Sequence, residues 1–564
     1  MSPEKKLHWL SLGGVGEIGK NCYVLDIEDK LFIIDVGMSF PDLRTLGVDL
    51  VLPDFSYLLK NQQRIKAIIL THGHEDHIGG IPYLLQDLTN IPPIFGTKFT
   101  LTLLRLKLAE FGLQDTQLFE YKPGDDFDVA GIHIETLRVT HSIPDSASVA
   151  IHTPVGVFLH SGDVKLDPTP VDGRMTDFAK LAEIGDRGVL AMTIDTTNIE
   201  RAGNSGSEAS VRPALRRYIA EHQGRVFVTT FASNIHRIQQ VIDVAVELKR
   251  KVLVLGRSMV DNVEFSQDLG YLKVPPRVLV NPFEAEHVKP HRLVVILTGS
   301  QGEPLSAVSR LASGEHRFLT VQPDDLFLFS ARPIPGNEVP IFGVIDDLYR
   351  MGAEVIYGMD AGTHVSGHGY QEELREYVQL ARPEYLIPVH GEYRMQMRCK
   401  KLSSQWGIPE ECVTVPSLGE RYEINEGGVR LVETVKAGEV FIAGNGGADI
   451  SRRIINERQA LAEDGLLIFS VVLDAAGEEI ITGPELVSKG FLPQKEAPEL
   501  FQKIEEAIIK SIYRNRQRGP EFQLQLRNNV QNVIQRIIFE DTRINPVVLG
   551  MVSYAKADEQ VDEA

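Results

Sequence analysis

The segment Thr71-His72-Gly73-His74-Glu75-Asp76-His77 sets three imidazoles and the Asp76 carboxylate within six positions, directly after the apolar run Ile65 to Leu70. Imidazoles and charges rarely crowd this closely without a cation to balance them, because an unpaired polar group away from water costs free energy. The alternative is a merely polar, solvated turn. The run KAIIL reads as a buried strand, and Gly79-Gly80 opens the amphipathic stretch IPYLLQDL, so the cluster sits on a loop between strand and helix. Neutral imidazole and carboxylate suit zinc or manganese, and His-x-His-x-Asp-His holds enough ligands to begin two sites. It differs from HExxH, whose two histidines lie one helical turn apart.

Further ligands are to be sought at other strand ends. His141 follows IHIETLRVT, Asp163 follows GVFLHSG and His390 follows EYLIPV, each closing an apolar, β-prone run. Taken singly each is weak, since His152 and His160 keep similar company and a lone histidine near a strand is more often structural. Gly14-Val15-Gly16-Glu17-Ile18-Gly19 matches GxGxxG and, with Lys20, nearly matches a P-loop, but Asn21 replaces the Ser or Thr. Both motifs need a helix next, whereas NCYVLDIEDKLFIIDVG reads as two alternating strands around Glu28-Asp29. The segment is therefore expected in a glycine-rich first hairpin.

At 564 residues and 43% apolar content the chain can form two or three cores. No apolar span reaches membrane length, and MSPEKKLHWL lacks the apolar core of a signal peptide, so the expectation is a cytoplasmic protein without membrane association. Cys22, Cys399 and Cys412 lack ligand spacing and are expected reduced and buried. A formal charge of −19 argues against an open electrostatic surface for nucleic acid; a polyanionic substrate would need a local basic groove.

Residues 1–204 alternate short strands with helices and carry all the ligand candidates but His390. Between 205 and 344 runs a self-contained α/β pattern expected to form an inserted parallel sheet, after which 345–432 completes the first domain. A linker over 433–455, a small α+β domain over 456–555 and a solvated acidic tail over 556–564 are expected to follow. His364-Val365-Ser366-Gly367-His368-Gly369 combines imidazoles, a hydroxyl and glycine amides just before the helix QEELREYVQL, a set that can cradle a phosphate or simply cap the helix. Asp195 ends the apolar run VLAMTI, and Ser233 in TTFASN is either a phosphate contact or an N-cap. Arg257, Arg332 and Arg394 would line a groove or serve as surface salt-bridge partners.

HGHEDH, THS, SGD and PVHGEY together resemble the ligand series of the metallo-β-lactamase superfamily. TTFASNIHRIQQ, GRSM, TGSQGEP, PIPGNE, HVSGHGYQEEL and PVHGEYRM, in order over most of the chain to about Tyr422, resemble its β-CASP nucleases, specifically the bacterial ribonuclease J family. DTTNIERAGNSGSE and SARPIPGNE depart by a few residues from the usual family wording.

The resemblance implies an αββα sandwich with an inserted β-CASP α/β domain and a small C-terminal α+β domain. It implies two divalent ions, zinc or manganese: one on His72, His74 and His141, the other on Asp76, His77 and His390, with Asp163 bridging. Asp195 would pair with His368 as a general acid to the leaving 3′ oxygen. The segment His364, Val365, Ser366, Gly367 and His368 would hold an RNA phosphate, with Ser233 as a further contact. The implied activity is a ribonuclease with 5′ to 3′ exonuclease action on 5′-monophosphorylated single-stranded RNA and some endonuclease action, serving rRNA processing, other RNA maturation and mRNA decay, in a homodimer or higher oligomer. A small-molecule metallo-hydrolase of lactonase or thioesterase type needs the same ligands without the insertion, and a DNA-directed β-CASP nuclease is the nearer rival.

Overall fold

The computed structural model describes residues 6–41, 45–303, 305–334, 337–444, 448–514 and 520–555. The expected acidic tail lies outside them, as do parts of the PIPGNE turn and of the expected linker. Two units separate, one comprising Met1–Phe40 and Leu50–Val440, the other Pro41–Asp49 and Phe441–Ala564.

In the first unit an eight-stranded sheet runs, edge to edge, through Gly428–Thr434, Glu420–Asn425, Leu7–Gly13, Cys22–Ile27, Lys30–Ile34, Ile65–Ile69, Ile94–Thr97 and Leu118–Tyr121. A six-stranded sheet has the order Pro383–Val389, Val189–Asp195, Gly156–His160, Ala147–Thr153, Ile132–Arg138 and Asp126–Val129. Their facing side chains share one core, with Trp9, Phe32 and Ile69 from the first sheet meeting Val149, Phe158, Ala191 and Ile387 from the second. The outer face of the second sheet is covered by helices Phe178–Arg187, Gln371–Ala381 and Tyr393–Ser403, which contribute Leu181, Ile184, Tyr377, Val378 and Leu402. Helix Lys98–Glu110 packs on the first sheet at Ile94–Thr97 and Leu118–Tyr121. The result is an αββα sandwich, because each sheet is apolar on both faces and must be covered twice.

The glycine-rich start is hairpin material: Leu7–Gly13 pairs antiparallel with Cys22–Ile27, and no helix follows. Among the described residues no helix is long and apolar enough to cross a membrane. Cys22 and Cys399 are buried free thiols, while Cys412 is only half-buried.

Between Asp195 and Pro383 the chain builds a third sheet of six parallel strands, ordered Leu279–Val280, Lys251–Leu255, Leu293–Leu297, Val226–Thr229, Leu326–Phe329 and Glu354–Ile356. Both faces are buried, as the continuous apolar strands require. The boundary expected at residue 344 falls inside helix Glu338–Arg350, whose buried Ile341, Val344, Ile345 and Leu348 pack on this sheet. The closing strand Glu354–Ile356 is three residues long, too short to show a period of two.

In the second unit, the central strand Leu466–Leu473 pairs antiparallel with Ile480–Lys489 and parallel with Val547–Tyr554. One face of this sheet is packed by helices Pro498–Arg514 and Gln523–Thr542 through Phe501, Ile504, Val530 and Ile534. The expected domain start at 456 falls inside a helix, Arg452–Asp464, whose only buried residue is Ile455. It nevertheless belongs to the second unit, where it lies against strand Val547–Tyr554.

One buried charge ties the inserted sheet to the rest of the first unit. Arg237 is fully buried and donates from Nε and Nη2 to the two Glu208 oxygens at 2.6 and 2.8 Å. Its Nη1 donates to the carbonyls of Ser330 and Thr363, both at 2.8 Å, the second just ahead of His364. Removing one member of a buried pair costs about 3–5 kcal/mol, because the partner is left charged and unpaired. Arg237→Met should therefore melt well below the parent protein, and Arg237→Met/Glu208→Gln should recover part of the loss in a thermal melt.

Candidate metal centre

Each ligand candidate stands at the carboxyl end of a strand. Ile65–Ile69 leads into Thr71-His72-Gly73-His74, and a short helix, Glu75–Ile78, then presents Asp76 and His77. The sequence predicts a loop throughout, because four residues are too few for a helical period to register. His141 follows Ile132–Arg138, Asp163 follows Gly156–His160, Asp195 ends its strand and His390 follows Pro383–Val389. Parallel pairing sets Asp195 opposite Val389, bringing His390 beside it despite the intervening insertion. His390 adopts the left-handed region at φ 49°, held by donation of its N–H to the Gly14 carbonyl (2.7 Å) and by acceptance at its own carbonyl from Thr197 Oγ1 (2.9 Å). Such conformations cost free energy and persist where the surroundings over-determine them.

The side chains converge as two groups around one carboxylate. His72 Nε2 and His141 Nε2 lie 3.0 and 3.1 Å from His74 Nδ1, and both are 3.6 Å from Asp163 Oδ2. Two nitrogens around a tetrahedral zinc would be about 3.3 Å apart, given bond lengths of about 2.0–2.1 Å. On the other side Asp163 Oδ1 is 3.3 Å from His77 Nε2 and 2.8 Å from His390 Nδ1, while Asp76 Oδ2 is 3.7 Å from His77 Nε2 and 3.2 Å from His390 Nε2. Both groups, His72-His74-His141-Asp163 and Asp76-His77-Asp163-His390, are close enough to hold a metal ion. Two buried atoms within them, Asp163 Oδ2 and His390 Nε2, have no hydrogen-bond partner among the described residues. A cation in each group would satisfy them.

Burial pushes His72 and His141 well below the ordinary histidine value and His74 to about 4, so these imidazoles are neutral, as ligands must be. Burial would also lower His390, but the Asp163 and Asp76 carboxylates outweigh it and raise the ring to about 10. That half of the cluster is where negative charge awaits a positive partner.

A surrounding layer aims the rings. Gly367 accepts at its carbonyl from His141 Nδ1 (2.7 Å), leaving Nε2 to face the cluster. Asp35 does the same for His77, with Oδ2 2.7 Å from Nδ1, and is itself fixed by the Thr71 N–H (2.8 Å) and hydroxyl (2.7 Å). Such carboxylate–imidazole contacts set tautomer and orientation. Asp35 is not among the residues the sequence singles out. Its only signal was an acid closing the apolar run FII, the pattern that singled out Asp195. Gly37 lets two backbones meet, since a Cβ there would stand 1.7 Å from the Asp76 carbonyl oxygen.

Asp195 Oδ2 lies 2.8 Å from His368 Nδ1, and its Oδ1 accepts from the Thr197 N–H at 2.9 Å, so one carboxylate holds the imidazole and caps its own turn. Burial would lower the His368 pKa, but Asp195 and Asp163 raise it overall. His368 Nε2 is 3.8 Å from Asp163 Oδ2, at the edge of the cluster. Ser366 is held by Asn198 and Lys165. His364 is driven to about 3 by burial, and its Nδ1 has no partner among the described residues. Val365 packs on the insertion core.

Ser233 is not brought into this constellation by any hydrogen bond among the described residues, and the cap of helix Ile235–Glu247 is Asn234, which accepts from the Arg237 N–H. Arg257 is largely exposed near Glu110, Arg394 pairs with Glu200, and Arg332 donates to the Tyr370 hydroxyl. His160 donates to or accepts from Thr193, and His152 pairs with Glu135; neither belongs to the two groups.

An αββα sandwich with a parallel-sheet insertion and clustered histidines at its strand ends defines a metallo-β-lactamase-type hydrolase of β-CASP build. Family profiles agree along the chain: metallo-beta-lactamase superfamily over residues 15–229, ribonuclease J beta-CASP domain over 223–348, Zn-dependent metallo-hydrolase RNA specificity domain over 352–413, and ribonuclease J C-terminal domain over 453–554. Ribonuclease J of Thermus thermophilus is 39% identical, with 98% of this chain and 96% of that protein aligned. Ribonuclease J 1 of Streptococcus pyogenes is 36% identical (96% of each chain), and ribonuclease J2 of Bacillus subtilis 36% (96% of this chain, 98% of that one). The chain belongs to the ribonuclease J family and is a hydrolytic, metal-dependent ribonuclease. A solved protein of unknown function from Enterococcus faecalis shares the fold, with a TM-score of 0.55 and 16% identity over 74% of this chain and all of that one.

Asp163→Ala is expected to lose bound divalent metal while remaining folded. Elemental analysis of the purified variant beside the parent checks this, and retained stoichiometric metal would contradict the central place of Asp163.

Proposed function

We propose that the chain is a 5′ to 3′ exoribonuclease acting on 5′-monophosphorylated single-stranded RNA, with some endonuclease action, in RNA maturation and mRNA decay. The carrying observation is the division of the two Asp163 oxygens between two histidine groups, with His368 Nε2 beside them. His72, His74 and His141 would hold one zinc or manganese ion, Asp76, His77 and His390 a second, and Asp163 both. When bound, such a pair lowers the pKa of water and neutralises charge on a phosphoryl group.

The chain's own residues supply the rest. Asp195 holds His368 by Nδ1, which directs the Nε2 proton toward the reacting phosphate, where it serves the leaving 3′ oxygen. The segment His364 to His368 joins the cluster directly, through the Gly367 carbonyl on His141, and offers the Ser366 hydroxyl and backbone amides to a phosphate. A terminal phosphate held a fixed distance from the centre sets the cleavage point one step from the 5′ end. Internal cleavage needs no such anchor.

The working form is a cytoplasmic homodimer or higher oligomer. In support, the sheet of the second unit carries a half-exposed to exposed apolar row, Val487, Ile468 and Leu549, on the face opposite its helices.

Asp195→Asn and His368→Ala should each lower turnover about 10²- to 10⁴-fold with metal content retained. Single-turnover cleavage of 5′-monophosphorylated RNA, with metal measured in the same samples, checks both. Loss of metal in both variants would move the pair into the ligand shell. Ser366→Ala should weaken exonucleolytic processing of 5′-monophosphorylated RNA more than internal cleavage; equal losses would remove the terminal anchor.

A further inference from the structure

The Ser366 hydroxyl is held in a state with only one use left. A hydroxyl has one proton to donate and two lone pairs with which to accept. Here Oγ lies 2.8 Å from Asn198 Nδ2 and 3.1 Å from the His368 backbone N–H. The same Asn198 atom is 3.3 Å from the His368 carbonyl, which can only accept, so it is the amide nitrogen and not the amide oxygen. Both lone pairs of Ser366 are thus engaged by N–H donors, and its proton has no acceptor among the described residues.

The arrangement is built rather than incidental. Lys165, buried, donates from Nζ to the Ser366 carbonyl (3.0 Å) and to the Gly206 carbonyl (2.7 Å), so the Ser366 backbone is anchored while its hydroxyl is aimed. Asn198 itself sits three residues beyond Asp195, on the turn whose Thr197 hydroxyl donates to the His390 carbonyl. One turn therefore presents Asp195 to His368 and Asn198 to Ser366, and is fastened to the backbone of a third residue of the centre.

We infer that Asn198 is a positioning residue that sets the polarity of Ser366, making it an obligate donor and so selecting an acceptor-only ligand, the terminal phosphate of 5′-phosphorylated RNA, over a terminal hydroxyl. This rests on the reading of His364 to His368 as a phosphate site. A 5′-hydroxyl end can take the Ser366 proton only on a single neutral oxygen and brings a proton of its own that Ser366 cannot accept, whereas an ionised phosphate oxygen makes the stronger, charge-assisted bond. A phosphate dianion brings acceptors alone.

The test compares the parent enzyme, Ser366→Ala, Asn198→Ala and Asn198→Asp on RNAs of one sequence bearing a 5′-monophosphate or a 5′-hydroxyl, and on an internally cleaved RNA. The reading is the ratio of kcat/KM for the two ends, with internal cleavage reporting any general damage through the His368 carbonyl. Asn198→Ala releases one lone pair and should lower the monophosphate preference about tenfold. Asn198→Asp replaces the donor with an acceptor that takes the Ser366 proton and adds a negative charge, so the preference should fall further, about a hundredfold. Ser366→Ala should collapse it as well. If Ser366→Ala collapses the preference while both Asn198 variants keep the parent ratio, or lose equally on all three RNAs, the role of Asn198 is overturned and the phosphate site stands. If the parent enzyme shows no preference between the two ends, the phosphate site itself is overturned.

Discussion

Everything at the centre is arranged around the buried carboxylate of Asp163. It stands among the rings of His72, His77, His141, His368 and His390, all within 4 Å of one or other oxygen, and it cannot satisfy them all by hydrogen bonding. Burial opposes its charge, yet the surrounding imidazoles, His390 and His77 foremost, hold it ionised. A single anion shared in this way fixes the spacing of the two ligand groups more tightly than two separate acids would. Asp35, Asp195 and the Gly367 carbonyl then act at one remove, each taking the far nitrogen of a ring whose near nitrogen faces inward.

The legible part of this centre was the part crowded in sequence. HGHEDH states its chemistry because its donors are too close to be accidental, and His141, Asp163 and His390 gain meaning only beside it. Asp35 and Asn198 carry no such signal. Each is one polar residue at the end of an apolar run or in a turn, and its role depends on which ring or hydroxyl another strand delivers. The sheets and the insertion were readable from apolar runs and turn residues. Their edges were not: the short strand Glu354–Ile356 and the polar helix Arg452–Asp464 lack the burial that makes a period visible. Ser233 shows the converse, a residue of suitable type one position away from the one that caps the helix.

The insertion contributes to the site by way of its attachments. Arg237 reaches from the insertion's helix to the carbonyl before His364, and Lys165 reaches from the sandwich to the carbonyl of Ser366, so the segment between is gripped from both sides. Phe99 and Ile143 of the sandwich are buried in the same apolar cluster as the insertion's Val226, Ile235 and Met259. A phosphate-holding segment needs this kind of backing, since misplacement of a bound group by an ångström can cost about 10²-fold in rate.

Strand Val189–Asp195 and strand Pro383–Val389 are neighbours in the sheet, yet Thr197 and His390, joined by a hydrogen bond at their ends, are 193 positions apart in the chain. Closing a flexible loop of that length is entropically expensive, and contacts of such separation form late. The parallel sheet inside that loop shortens the span of flexible chain that the pairing has to close. His390 lies beyond the whole insertion and is the last of these ligand residues along the chain. A chain synthesised from its amino end thus carries an incomplete set of metal ligands until nearly all of the catalytic unit exists, and its hydrolytic power arrives with the finished fold.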